Sequence, residues 1–278
     1  MRLHLRFTGL FFRVIVYGLA LCFSRPVLAA SPIAWKEADK GLHVAELKSA
    51  LNDTNYAITI VKIDPAYYSF KLLCASEHGK ESLSVKDWAL KNHLVVAVNA
   101  SMFQKDGLTS IDFMKNFSHI NNPRLSRDKT ILAFNPVKKD LPPIQLLDRE
   151  CGDFNDLRTK YRSFVQSIRM ISCKGENVWN EQGAKWSCLA LGMDSRGNIL
   201  FLFCTTPGSV HDFIQILLSL PLDLKSAMYL EGGPQAALYL STPRMGMERY
   251  CTLDGLQEDS LKFSLPVPNV IGIVKKTR

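Results

Sequence analysis

The sequence predicts an α+β fold, a single domain with a mixed, largely antiparallel sheet flanked by helices. Three observations carry this. Strand-like runs outnumber helix-like ones along the 278 residues. Several runs adjoin through short turn signals, which suits antiparallel neighbours and argues against a repeating βαβ pattern. The chain also lacks a Pro/Ser-rich linker, a low-complexity segment or a repeat, so one domain is the simplest division.

The first element stands apart from that fold. Residues 1–29 read as a secretory signal. Arg2, Arg6 and Arg13 precede a short apolar stretch, "VIVYGLALCF", and "SRPVLAA" then ends in small residues with Val27 and Ala29 where a signal peptidase reads. An apolar stretch of about ten residues is too short to span a bilayer comfortably, with an uncleaved membrane anchor as the alternative reading. Removing the segment takes away four arginines and lowers the net charge from +8 to +4. The remaining chain, residues 30–278, has no dense Lys/Arg stripe, which argues against a nucleic-acid partner. The expected compartment is the periplasm or the exterior, with membrane contact only through the signal during export.

The elements follow in order. "NYAITIVKIDPAYYSFKLLCAS" alternates on either side of Asp64-Pro65 and predicts two strands joined by a turn. "SLSVKDWALKN" has helical spacing behind a serine cap. "HLVVAVNASMF" is a β-branched run, a buried strand ending at Asn99. "TSIDFMKNFSHI" and "KTILAFNP" predict further strands, and "FNDLRTKYRSFVQSIRMIS" a helix running into a strand. "CLALGMDSRGNILFLFCT" predicts a β-hairpin turning over "DSRGN". "SVHDFIQILLSL" spaces its apolar residues for an amphipathic helix closed by Pro221. "SAMYL" and "PNVIGIVKK" complete the strands.

Six cysteines lie beyond residue 29, an even number that permits disulfides in an exported chain. Cys173 and Cys188 are the best pair by spacing, because the loop between them could bring its ends together. Cys74 and Cys204 sit in apolar runs and predict buried thiols. No spacing is C-x-x-C, and the histidines form no H-x-x-x-H or H-x-H pair, so a zinc site is not expected. No cofactor is expected; a divalent metal would be compatible but nothing calls for one.

The stretch "SAMYLEGGPQAALYL" places Glu231, Gly232, Gly233 and Pro234 between two apolar runs. A carboxylate at a strand end followed by two glycines marks an edge where a backbone bends and a ligand can approach. An ordinary turn with a solvated acid would read the same way.

The order of segments resembles the phosphodiester glycosidase family. Its members carry a strand ending in an "NGGFF"-like motif, a hairpin like "RTAIGVDKDGRL", an amphipathic helix, a strand ending in "LDGGGSS" and a closing "PNALGV"-like strand. The matching pieces here are "VNASMF" (98–103), "LALGMDSRGNILFLF" (189–203), the helix over 209–220, "YLEGGPQAALY" (229–239) and "PNVIGIV" (268–274). Glu231 replaces the family's aspartate, Pro234 and Gln235-Ala236 replace a serine pair, and Ala100 and Ser101 replace two glycines. The arginine that often precedes the hairpin is missing near Cys188. These departures describe a divergent bacterial branch.

The resemblance implies an exported hydrolase that cleaves between a sugar's anomeric carbon and a phosphate, in a cell-envelope or exopolysaccharide glycan. That chemistry needs a carboxylate for the anomeric side and donors for the phosphate. Glu231 and Asp194 are the expected carboxylates, Arg169 the bidentate phosphate contact and Asn99 a further catalytic group. Ser101, Gly232 and Gly233 would line the substrate. For Asp194 the competing reading is a turn cap, for Arg169 an edge arginine facing water, and for Asn99 a residue that ends its strand for turn reasons. "SRDK" (126–129) matches an S-x-x-K pattern, but its companion motifs are lacking and chance explains it. A non-catalytic glycan-binding protein that keeps the fold is the alternative function.

Overall fold

Local chemistry at Asn52-Asp53 sets the first large feature of the architecture. Both residues take left-handed φ angles, 47° and 58°. That twist matches a two-residue hairpin loop, which Asn and Asp tolerate better than most side chains. In the computed structural model, which describes residues 33–181, 183–251 and 264–277, the loop joins two ten-residue strands. Residues 1–29, where the export signal is expected, lie outside the described residues.

The chain enters through β1 (Lys36–Asp39) and β2 (Leu42–Leu51) and returns as β3 (Thr54–Ile63). Asp64-Pro65 then hands it to β4 (Tyr68–Cys74), which belongs to a different sheet. Helix α1 (Val85–Lys91), capped by the Ser84 side chain on Asp87 N, leads into β5 (Val96–Asn99). The stretch read as one strand over 109–120 is instead the start of a hairpin, β6 (Met114–Asn116) and β7 (His119–Asn122), because Phe117 adopts a left-handed turn. Strands β8 (Thr130–Pro136) and β9 (Ile144–Asp148) follow, then α2 (Phe154–Lys160), which runs straight into β10 (Tyr161–Ser167) and β11 (Arg169–Ile171). The "DSRGN" turn joins β12 (Trp186–Asp194) to β13 (Ile199–Gly208). Helix α3 (Val210–Ser219) is capped by Ser209 and ends before Pro221. The chain closes with β14 (Leu224–Gly232), a short turn of helix over Gly233–Gln235, β15 (Ala237–Thr242), β16 (Met245–Tyr250) and β17 (Asn269–Lys275).

The strands form three sheets, in the orders β1-β2-β3-β13-β12-β14-β11, β7-β6-β10-β8-β9 and β16-β15-β5-β17-β4. The expected single mixed sheet is corrected in two ways. Among the described residues there are three sheets, and every pairing between their strands is antiparallel. The α+β class holds only in a sheet-dominated form.

Inner faces of all three sheets meet in one core that includes Phe201, Phe203, Phe134, Val98, Leu230 and Ile271. Outer faces are covered by helices. Phe213, Ile214 and Leu217 of α3 lie on the seven-stranded sheet, Trp88 of α1 on the sheet of β5, and Leu157 of α2 on the sheet of β10. Seven-residue helices are too short to persist alone, so this burial holds α1 and α2. Ser31–Arg278 is a compact unit with its own core.

The expected Cys173–Cys188 disulfide is replaced by Cys151–Cys173, whose Cα atoms are 6.4 Å apart. Register explains why. Ile171 pairs with Ala227 of β14, which pairs with Gly192 of β12, so Cys173 leaves toward the Asp194 end. Cys188 sits at the other end, directly opposite Cys204. Cys74, Cys188 and Cys204 are buried thiols, and burial pushes the Cys204 thiol up to about 12.

Candidate active site

Strand β14 lies between β12 and β11 and delivers Glu231 to one end of the seven-stranded sheet. The residue is 8% exposed. The hydrogen bond its carboxylate receives comes from the adjacent Gly232 N, at 3.0 Å. Burial pushes the carboxyl up to about 7, and that one donor opposes the shift too weakly to cancel it.

The two glycines after Glu231 serve different needs. Gly232 is extended, and a Cβ there would overlap the Tyr229 hydroxyl and come within 2.8 Å of Trp186 Nε1. Gly233 turns through a φ of +65° into open space. Ser187 Oγ donates to Gly233 O at 3.1 Å. Asn99 holds the far side of this loop. Its Nδ2 donates to Gln235 O and its Oδ1 accepts from Ala237 N, both at 2.9 Å. Asn99 therefore positions the loop, and its carbonyl is committed to backbone.

Next to Asn99 the chain makes a strained turn. Ser101 has a φ of 76°, a conformation that favours glycine. Its Oγ donates to Ser167 Oγ at 3.2 Å, and both residues are buried. The neighbouring Ile168 O accepts from Tyr229 N, so the end of β10 is fastened two residues before Glu231. The contacts of Asn99 with Gln235 and Ala237, of Ser101 with Ser167 and of Ile168 with Tyr229 thus tie together the ends of β5, β10 and β14.

Two features of this region were missed from sequence. The first is an aromatic wall. The rings of Trp179 and Tyr229 lie 5.4 Å apart, and Trp186 Nε1 is buried against the Tyr229 hydroxyl. The second is Asp112. Ile111 N donates to Met102 O, which brings Asp112 back alongside Ser101, and Phe113 O accepts from Gln166 N. Asp112 is 1% exposed and its Oδ2 has no partner. Burial raises its carboxyl to about 6; the Ser126 hydroxyl opposes this and the Asp128 carboxylate adds to it. The signal was present, since an acid interrupts the apolar run "SIDFM" just as Arg169 interrupts its own.

Asp194 and Arg169 do not join the site. Asp194 pairs with Leu224 at the opposite end of β14, seven residues from Glu231 and roughly 23 Å away along the strand. Its carboxylate accepts from Arg196 N, Asn198 N and Asn198 Nδ2, which makes it a turn cap. Arg169 pairs with Met228, but its Nη1 is bound to Asp148 at 3.0 Å and Glu150 at 2.7 Å. Burial alone would raise the Asp148 carboxyl; donation from Glu150 N, Cys173 N and Arg169 outweighs it and holds the group below its ordinary value. The guanidinium charge is met by two carboxylates, so Arg169 is a structural clamp on the segment around the disulfide. Among the described residues, the cluster with metal-ligand spacing is Asp148, Cys151 and Cys173, and those cysteines are joined to each other.

Comparison with known proteins agrees with this architecture. The profile described as phosphodiester glycosidase matches residues 92–274, more than half of the chain. No curated protein matches in sequence. A Synechocystis protein described as hypothetical superposes with a TM-score of 0.59 at 14% identity, covering 89% of this chain and 64% of its own. The catalytic domain of zebrafish N-acetylglucosamine-1-phosphodiester alpha-N-acetylglucosaminidase, auto-inhibited by its pro-peptide, gives 0.59 at 12% identity, covering 89% of this chain and 87% of its own. The chain thus spans less than two thirds of the Synechocystis protein, and at these identities the likeness is one of fold. With the profile spanning the strands that carry Asn99, Ser101, Glu231 and the closing β17, the chain belongs to the phosphodiester glycosidase family.

Proposed function

We propose that the chain hydrolyses the bond between a sugar's anomeric carbon and a phosphate, with Glu231 as general base. The observation that carries this is the Glu231 carboxyl, buried, nearly unpartnered and pushed up to about 7 at a strand end beside an open glycine turn. The departing phosphate monoester is a good leaving group and needs little protonation, so catalytic effort goes to the attacking water. Glu231 takes the proton from that water as its oxygen bonds to the anomeric carbon and the phosphate departs with the bonding electrons. A base that titrates near neutrality suits this task. The Gly233 turn opens to space beside Glu231, and the half-buried Trp179, resting on Tyr229, offers a sugar ring an apolar face.

Export to the periplasm or beyond, and a cell-envelope or exopolysaccharide glycan as substrate, fit the amino-terminal signature. The Cys151–Cys173 disulfide supports an oxidising compartment. One observation favours the rival reading of a glycan binder: Arg169, the cation expected to meet the phosphate, is already paired. Turnover of a sugar-1-phosphate diester separates the two. Hydrolysis by the native chain and its loss in Glu231→Gln supports the enzyme. Thermal stabilisation by phosphosugars without turnover supports the binder.

A further inference from the structure

We propose that the outer face of the β6–β7 hairpin docks on an anionic bilayer surface, a contact independent of catalysis at Glu231. Six large apolar side chains are exposed among the described residues, and four of them, Ile111, Phe117, Ile120 and Leu125, fall between residues 111 and 125. Scattered singly such residues are ordinary, but Ile120 and Leu125 line one groove together. Phe117 crowns the turn, 47% exposed, with a φ of 52° that bulky residues avoid. Local geometry therefore does not select an aromatic there.

The groove, of about 330 Å³, lies beside α2. Its floor is an aromatic triad, Phe113, Phe154 and Phe164, with ring centroids 5.6, 5.8 and 6.0 Å apart. Ile120 and Leu125 form its wall. The charged residues that line it are Lys115 and Arg158, and no carboxylate does. Lys115 pairs in register with Ile120, so cation and apolar side chain rise from one face. Arg124 and Arg127 stand exposed on the loop after β7. Of the nearby acids, Asp156 pairs with Lys160, Glu150 with Arg169 and Lys129, Asp153 caps α2 on Asn155 N, and Asp128 lies against the buried Asp112, which also feels Arg124. Lys115, Arg124, Arg127 and Arg158 are left without an ion pair among the described residues.

Charge selects the occupant. Apolar and aromatic side chains ringed by unpaired cations match the composition of surfaces that rest on anionic lipid, each cation adding attraction near the headgroups. A second copy of the chain would set the same cations against each other, which opposes self-association through this face. No helix among the described residues is long and apolar enough to cross a membrane, so the contact is peripheral.

Co-sedimentation with vesicles tests it, using the compact unit Ser31–Arg278 alongside the full chain. Vesicles of phosphatidylglycerol and phosphatidylcholine should bind the unit about tenfold or more tightly than pure phosphatidylcholine, and less tightly as salt rises. Ile120→Ser with Leu125→Ser, and separately Arg124→Glu with Arg158→Glu, should each lower binding about tenfold without changing Tm. Equal binding to neutral vesicles, unchanged binding by either double variant, or no binding at all would overturn the proposal. So would a dimer seen by light scattering that the Ile120/Leu125 variant disperses, since that outcome assigns the face to a second copy.

Discussion

The two ends of the β12–β14 strand pair each hold a buried carboxylate, and they are built for opposite purposes. Asp194 receives three donors from its own turn. Glu231, similarly buried, receives one from its neighbour and has a titration point shifted toward neutrality. Burial is therefore a poor guide to chemistry in this molecule. The useful quantity is how far burial outruns hydrogen bonding. An acid whose acceptors are filled is a fastener, and one whose acceptors are empty holds free energy that a substrate or a proton can release.

The largest expected effect breaks that contrast if it is absent. Glu231→Gln should lower kcat by about 10²–10⁴-fold and abolish the rise of kcat/KM with pH near 7. Asp194→Ala should leave kcat within about twofold and cost about 1–3 kcal/mol of stability, because it strips a satisfied turn of its acceptor. Equal loss of turnover in both variants would refute the distinction.

Stability should move the other way for the under-bonded acids. Folding raises the Glu231 and Asp112 carboxyls above their ordinary 4.5 and 3.8, so each holds its proton more tightly in the native state. Their cost is absent below about pH 4, grows as the solution passes through the folded values, and is complete above them. Glu231→Gln and Asp112→Asn should therefore unfold with the wild type at pH 4 and above it in Tm at pH 8, by up to about 3 kcal/mol each. A wild-type advantage at pH 8 would show that an unrecognised partner satisfies the acid.

The glycine pair sharpens the comparison at a smaller scale. Gly232→Ala meets Tyr229 and Trp186 and should cost about 1–3 kcal/mol together with activity. Gly233→Ala faces open space and pays only for its φ, about 1 kcal/mol, with turnover retained. Denaturant midpoints and kcat measured on the two variants decide whether the aromatic wall is rigid.

Much of the fold was legible because local rules and tertiary packing agree. The caps at Ser84 and Ser209, the turn at Asp194 and the apolar stripe of α3 all act within a few residues of themselves. The division into three sheets was not legible. β5 lies between β15 and β17, partners far along the chain, and no short-range pattern encodes that choice. Strand alternation is also erased where both faces are buried, as through the middle of β13. At the site, Glu231 with its glycines could be read because the break between two apolar runs is local. Arg169 misled because its partners, Asp148 and Glu150, belong to another sheet edge. Cys188 misled because the loop before β12 returns nowhere near Cys173.

The Asn99 side chain stitches one sheet to the segment that leaves another, with a donor and an acceptor both spent on main chain. A lineage that abandoned hydrolysis would still have to keep that amide to remain folded. Asparagine at this place in a distant cousin would then testify to shared ancestry and say nothing of trade. Glu231, whose carboxylate accepts from its own neighbour Gly232, carries no such duty, and a change of occupation would first be written there.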